Sequence, residues 1–262
     1  METDFSQMKM GKKEAFFSPN SPKMASLILH GNIPPVPASI DYSTRVSNWP
    51  MFENQNLGDC TVAAIGHLIQ LYTSYTKSQP SVMTKDEIIK TYSAVSGYVP
   101  GNPATDNGAV EQNVLNYWLH NGVPVNGVIN KIAGFARVNV RKRTELEYAI
   151  YWFGGAYLGV ALPIAWQTTT NWEKPANLLG NNAPGSWGGH AIPAISYDSN
   201  YLTVITWGKK VKMSWAAYEA YCDEAWAVID PLFVNQQGKC PANNFDWSQL
   251  LADMQLIKEG VV

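Results

Sequence analysis

The chain has 262 residues, 46% of them hydrophobic, which is enough to bury a large core as one domain or as two small ones. Its formal net charge of -2 excludes the strongly basic surface of a nucleic-acid-binding protein, and we predict neither nucleic acid nor membrane as a partner. Three cysteines in a chain of this length do not make a disulfide framework, which favours a reducing, intracellular setting. Cys222 and Cys240 would be the pair to consider in an exported protein.

Residues 1–35 are predicted to form an irregular N-terminal arm, since they are polar, contain four prolines and show no sustained hydrophobic period. The segment before Phe17 lacks the apolar run of a secretory signal. We therefore expect a soluble protein without a signal peptide, either cytoplasmic or associated with a virion. Three roles fit such an arm: protein assembly contacts, a short pro-segment, or a wrap over the surface.

The segment 54–67 places a cysteine where a polar, glycine-containing turn becomes a helix. Apolar residues then recur at steps of three and four, which predicts a buried helix from Cys60 to about Thr76: Val62, Ile65, Leu68 and Ile69. A thiol in the first turn of a helix lies near the positive end of its dipole, and such positions lower a cysteine pKa to roughly 3.5–7.5. Cys60 is therefore a candidate nucleophile, and a buried structural cysteine is the alternative.

Capping-box spacing marks the starts of two further helices, at Thr84 to Glu87 and at Thr144 to Glu147. Gly154 and Gly155 end the second of them. The elements predicted before residue 155 are helices at 60–76, 85–95, 110–119 and 144–153, an irregular loop at 96–108, and a short strand at 138–140.

Beyond residue 156 the pattern changes to strands. The predicted elements are strands at 157–162, 191–197, 201–207 and 223–229, a short helix from Ser214, and a last helix from Asp246 to Leu256. Helices first and antiparallel strands later indicate an α+β fold, which we divide into the arm and one domain at 36–262.

The chain contains four histidines: His30, His67, His120 and His190. His67 lies two helical turns, or roughly 10 Å, beyond Cys60, so we expect it to pack or cap and not to bond the thiol. His190 follows Gly188-Gly189 at the mouth of an apolar strand, where glycines let a backbone or substrate approach closely. It lies 130 positions after Cys60, within the 130–150 gap between cysteine and histidine in papain and cathepsin enzymes.

With these residues the chain resembles the papain-like cysteine peptidases, in a divergent form carried by bacteria and phages. The matching segments lie within residues 36–230: Pro37 to Tyr42, Asn54 to Thr61, Gly189 to Ile192, and Thr206 to Gly208. The resemblance implies two lobes, a helical one whose central helix bears the cysteine and an antiparallel β lobe, and a peptide or protein substrate. Motifs for metals, nucleotides or other cofactors are missing from the sequence, so we predict neither a metal nor a cofactor.

The resemblance also implies residue roles. Cys60 would be the nucleophile that cleaves a peptide or isopeptide bond through a thioester, and His190 would act as acid and base. The backbone N–H of Cys60 and a side-chain amide six residues upstream would stabilise the oxyanion. Asn54 stands at that spacing and Gln55 is one place closer, so either is a candidate.

One position departs from the family pattern. Family members carry an asparagine two residues before the Trp-Gly pair, where it orients the catalytic histidine, and this chain has Ile205 there. Thr206, Thr203 or a backbone carbonyl would have to replace it, or His190 would be held by packing under Trp207. The alternative function is therefore a catalytically weak or inactive papain-fold structural or interaction protein, such as a phage virion component. Amide hydrolysis of peptidoglycan, by the same chemistry, is a further alternative.

Overall fold

A computed structural model describes residues 3–30, 35–235, 238–240, 243 and 246–248. Its α-helices are α1 Met24–His30, α2 Cys60–Thr76, α3 Lys85–Ser96, α4 Glu111–His120, α5 Arg143–Phe153 and α6 Trp215–Tyr221. Its strands are β1 Ile40–Asp41, β2 Val123–Val125, β3 Val128–Asn130, β4 Gly134–Arg137, β5 Ala156–Leu162, β6 Asn171–Trp172, β7 Gly188–Tyr197, β8 Tyr201–Thr206, β9 Lys209–Ser214 and β10 Cys222–Ile229. Short 3-10 helices occur at Ser43–Arg45, Pro103–Thr105, Ile164–Trp166, Gly180–Asn182 and Pro231–Phe233.

Strands from the second half of the chain form most of one sheet. Its order is β4-β10-β5-β7-β8-β9-β6, with β1 added on β7, and all pairs are antiparallel except β6 with β9. Strands β2 and β3 form a separate hairpin. This mixture of early helices and a later antiparallel sheet confirms the α+β prediction.

Helix α2 is the central helix of the first lobe. Every residue from Cys60 to Ser74 is buried, because one side of the helix packs against the other helices and another side against the sheet. The hydroxyl of Tyr157 on β5 donates a hydrogen bond of 2.9 Å to the carbonyl of Thr61 in the first turn. The start of α2 is thus held directly against the β lobe.

Most predicted helices and strands are present within one or two residues of their expected bounds. The Thr84–Glu87 capping box forms in full, with each side chain accepting from the other residue's backbone N–H. The second predicted capping box is wrong. Helix α5 already begins at Arg143, so Thr144 lies inside it, and the Glu147 carboxylate instead accepts from Arg143 Nε at 2.8 Å.

Two other predictions need correction, and one hairpin was missed. The strand expected at 138–140 lies earlier, as β4, because the chain turns away from the sheet where the N–H of Lys142 bonds the Asn139 carbonyl. The β2–β3 hairpin was not predicted, since a proline in β2 disfavours a strand. The arm is not irregular throughout, because it contains α1.

The helix predicted from Asp246 to Leu256 lies largely outside the described residues. Within the part of the chain that the structure describes, Cys222 and Cys240 form no disulfide. In the same part, none of the helices has the length and apolarity needed to cross a membrane.

Candidate active site

The fold brings Cys60 and His190 into one site between the two lobes. Cys60 is the first residue of α2, and His190 lies near the start of β7. The backbone N–H of Ala191, the residue after the histidine, donates to the Cys60 thiol over 3.4 Å. Cys60 therefore contacts the strand segment that carries His190, although the two residues lie 130 positions apart in the sequence.

The imidazole of His190 is held by the β8 strand and the turn that follows it. Its Nε2 lies 2.7 Å from the hydroxyl of Thr206, and its ring stacks on Trp207 with centroids 4.3 Å apart. Thr203 lies farther along β8, opposite Ser196. Of the alternatives to the family asparagine, the structure thus provides Thr206 and the packing under Trp207. The Nδ1 atom of His190 has no hydrogen-bond partner among the described residues.

Both candidate oxyanion amides lie next to the turn before α2. Asn54 is buried, and its Nδ2 donates to the carbonyls of Leu57 at 3.0 Å and of Lys9 at 3.5 Å. Gln55 is half-buried, and its Oε1 has no hydrogen-bond partner in the described part of the chain. The Asn54 amide therefore already donates to carbonyls of its own turn and of the arm, while the Gln55 amide oxygen accepts no hydrogen bond from the described residues.

The protonation of the two central residues differs from the sequence expectation. Burial raises the pKa of Cys60 to about 12, so the helix dipole does not produce a thiolate in this state. Burial also lowers the pKa of His190 to about 3. Both groups are therefore neutral at physiological pH, because the site is closed to water.

The N-terminal arm closes the site. Its residues 11–13 run between the loop before α4 and the start of β7, and they form backbone hydrogen bonds with both. The N–H of Lys12 donates to the Gly189 carbonyl at 3.1 Å, and the N–H of Lys13 donates to the Ala109 carbonyl at 2.9 Å. In return, the N–H of Ala109 donates to the Gly11 carbonyl at 2.8 Å. The arm thus lies as an extended backbone between these two segments, beside Cys60 and His190.

Glycines allow this close approach. A Cβ atom added to Gly11 would lie 1.7 Å from the Gly58 carbonyl oxygen. One added to Gly108 would lie 2.0 Å from the Gly11 oxygen, and one added to Gly189 would lie 2.4 Å from the Lys12 oxygen. The prediction that the glycine before His190 admits a backbone is confirmed, and the backbone it admits belongs to the chain itself.

The arm also covers the tryptophan that stacks on the histidine. The ring of Phe5 packs on Trp207 at a centroid distance of 4.9 Å, and the backbone N–H of Phe5 donates to the Gln167 carbonyl at 2.7 Å. His67 does not bond the thiol, because its Nε2 lies 2.8 Å from the Pro50 carbonyl, as expected of a packed histidine. It is still near enough to His190 to lower the pKa of that imidazole further.

The residues that sequence analysis missed are those of the arm that enters the cleft. Residues 9–13 contain no hydrophobic period and no motif, so they predicted an irregular segment and not its location. The one available signal is Gly11, a glycine within a polar arm, which permits close backbone contact.

These features define a papain-like fold: a helical lobe with a cysteine at the head of its central helix, and a β lobe that carries a histidine across the cleft. Among solved structures, the chain is similar to xylellain, a cysteine protease from Xylella fastidiosa, with a TM-score of 0.65 and 13% identity over 88% of this chain and 98% of that one. The bromelain protease from Ananas comosus matches with a TM-score of 0.54 and 18% identity over 74% of this chain and 99% of that one. The digestive procathepsin L 3 of Tenebrio molitor matches with a TM-score of 0.57 and 12% identity over 86% of this chain and 77% of that one. No family model and no curated protein sequence matches the chain.

Proposed function

We propose that the protein is a cysteine hydrolase that cleaves peptide or isopeptide bonds through a thioester on Cys60. The observation that carries the proposal is the contact of the Cys60 thiol with the residue after His190, at the head of the central helix of a papain-like fold. Of the similar solved structures, xylellain is named as a cysteine protease, the Ananas comosus protein as a bromelain protease, and the Tenebrio molitor protein as a digestive procathepsin.

In the proposed reaction, His190 accepts the thiol proton as Cys60 attacks the substrate carbonyl. The negative charge that develops on the carbonyl oxygen is stabilised by the backbone N–H of Cys60 and by the amide of Asn54 or Gln55. His190 then protonates the leaving amine, and water hydrolyses the thioester. Thr206 acts as the positioning residue, because its hydroxyl contacts the far nitrogen of the imidazole.

The arm acts in this proposal as a closing segment that keeps the enzyme inactive. It buries Cys60 and His190, and burial disfavours the thiolate and the imidazolium that transfer of the thiol proton would form. Displacement of the arm would return water to the site and let the start of α2 favour the thiolate.

The test compares the wild-type chain with Cys60→Ala on protein and isopeptide substrates after the arm has been displaced. We expect hydrolysis by the wild-type chain, loss of hydrolysis in the variant, and a mass increase on Cys60 with a thiol-directed peptide inhibitor. Full activity of the Cys60→Ala variant would refute the mechanism. Zymography on cell-wall material tests peptidoglycan as the substrate.

The alternative is a papain-fold protein without turnover, used as a structural or interaction protein, such as a phage virion component with assembly contacts through residues 1–35. Its main support was Ile205 at the orienting position. The contact between Thr206 and His190 weakens that support, since an orienting hydroxyl is available. A Cys60 that alkylates no faster than a free thiol at pH 6, with the arm displaced, would favour this alternative.

A further inference from the structure

One side chain of the arm lies in a charged pocket beside the cleft. The Nζ atom of Lys12 lies 2.9 Å from the Asp223 carboxylate and 3.1 Å from that of Glu224, and it donates to the Lys13 carbonyl at 3.2 Å. The Lys12 side chain is 1% exposed, so its charge is removed from water almost completely. A buried cation of this kind is stable only where the surrounding charges compensate it.

A third carboxyl group, that of Glu111, completes the pocket. Glu111 is fully buried, and neither of its oxygens has a hydrogen-bond partner among the described residues. Burial raises the pKa of Glu111, and the nearby charge of Glu224 raises it further, whereas Lys12 lowers it. For Lys12 itself, burial opposes the charged form, but the three carboxyl groups raise its pKa above the usual lysine range. Three carboxyl groups therefore act on one buried ammonium group, and Lys12 is the cation that favours their charged forms.

The walls of the pocket do not depend on the arm. Glu111 is the first residue of α4, and Glu224 lies on β10 in the interior of the sheet, where its Oε2 accepts from Trp226 Nε1 at 3.1 Å. Gly159, on the neighbouring strand β5, leaves space for the lysine stem, since a Cβ atom there would lie 2.0 Å from Lys12 Cε. Sites built on regular elements keep their geometry when the ligand leaves.

We infer that this pocket is a specificity site, which binds the side chain of a substrate lysine after the arm has left the cleft. The inference rests on the proposed function, because it assigns a substrate preference to that same site. When Lys12 leaves, the buried carboxyl groups lose their cation, and an incoming lysine of the same length restores it. An apolar side chain would leave them uncompensated. The substrate residue concerned is the one that pairs with Gly189 and Ala109, as Lys12 does.

A metal ion fits the pocket less well than an ammonium group. Across the described residues, no group of three or more His, Cys, Asp or Glu side chains is arranged to hold a metal ion. The carboxylates of Asp223 and Glu224 instead contact Lys12 Nζ, so the depth of the pocket matches the length of a lysine side chain.

The test uses the full chain carrying Gly11→Ala. This substitution is expected to displace the arm, because the new Cβ atom would overlap the Gly58 carbonyl. The assay measures kcat/KM on fluorogenic peptides in which one position is varied at a time. Lysine, arginine and norleucine are compared at each position. At one position we expect lysine to exceed norleucine, its apolar analogue, by at least tenfold. Glu224→Gln should reduce that ratio toward one. Asp223→Asn is the matched control with a smaller effect, because the Asp223 side chain is 42% exposed and can be hydrated.

A second measurement separates this inference from the proposed function. Binding of lysine and norleucine peptides to a chain that carries both Gly11→Ala and Cys60→Ala does not require turnover. Selective binding of the lysine peptide would support the pocket even if no peptide is cleaved, in which case the proposed function alone fails. The inference would be overturned if the two peptides were cleaved equally or bound equally. It would also be overturned if the preference for lysine survived both Glu224→Gln and Gly159→Ala.

Discussion

Replacement of Gly11 with alanine is expected to open the site. The new Cβ atom would lie 1.7 Å from the Gly58 carbonyl oxygen and 2.2 Å from its carbon. Both are backbone atoms, so no side-chain rotation relieves the overlap, and the arm must move. Gly11 itself has no positive φ value, so alanine adds steric overlap in the cleft without a backbone penalty elsewhere.

The size of the effect follows from the contacts that the arm would lose. Three backbone hydrogen bonds connect residues 11–13 to Ala109 and Gly189. At about 0.5–1.5 kcal/mol each, their loss favours the open state by about 1.5–4.5 kcal/mol. Since about 1.4 kcal/mol is a factor of ten, the open population should rise by roughly 10- to 1,000-fold.

The assay is the second-order rate constant for alkylation of Cys60 by iodoacetamide between pH 5 and pH 9, with the modified residue identified by mass spectrometry. The closed thiol has a pKa of about 12 and should react slowly over this whole range. In the Gly11→Ala chain the rate should rise by at least tenfold at pH 7. Glu14→Ala, an exposed arm position, is the matched control and should alkylate at the wild-type rate. A Gly11→Ala chain that folds normally and alkylates no faster than the control would refute the closing role of the arm.

Three further predictions concern orientation, oxyanion binding and stability. In the opened chain, Thr206→Val should lower kcat about tenfold with little change in KM, and Thr206→Ser should restore it; an unchanged pH profile of kcat would contradict the orienting role. Either Asn54 or Gln55 is the side-chain donor to the oxyanion, so either Asn54→Ala or Gln55→Ala should lower kcat roughly 100-fold. Equal, small losses in the two variants would exclude both residues as the donor. Burial raises the pKa of Asp230 to about 7, so its stabilising contribution is complete below about pH 4 and is lost as the pH rises through 7. This contribution is roughly 4 kcal/mol, so the melting temperature of the wild-type chain should fall by roughly 10 °C over this range, and Asp230→Asn should lack the decline.

The sequence was sufficient to predict the elements that position the site. The apolar period after Cys60 predicted α2 to the residue, and the spacing of 130 residues predicted that the start of β7 lies beside it. These inferences succeed because periodicity reports which face of an element is buried, and the buried faces are where α2 and β7 meet.

Other features depended on tertiary contacts that no local pattern encodes. The expected low pKa of Cys60 considered the helix terminus alone, whereas the arm removes the thiol from water and reverses the direction of the shift. The acidic pocket was also missed, because Glu111 begins α4 whereas Asp223 and Glu224 lie on β10, more than a hundred positions later, and all three appear as ordinary helix and strand residues in the sequence. Only the fold brings these carboxyl groups together.

The glycine-lined passage between the lobes has a consequence for the shape of the molecules that can enter it. Gly58, Gly108 and Gly189 leave room for one main chain and for no side chains on the flanking walls. Over about three residues, a polypeptide must therefore be fully extended, with its backbone N–H and C=O groups free of other hydrogen bonds on both edges, before it reaches the thiol. We expect intact globular proteins to resist attack at their helices and sheets, and unstructured tails, linkers and denatured chains to be cut instead.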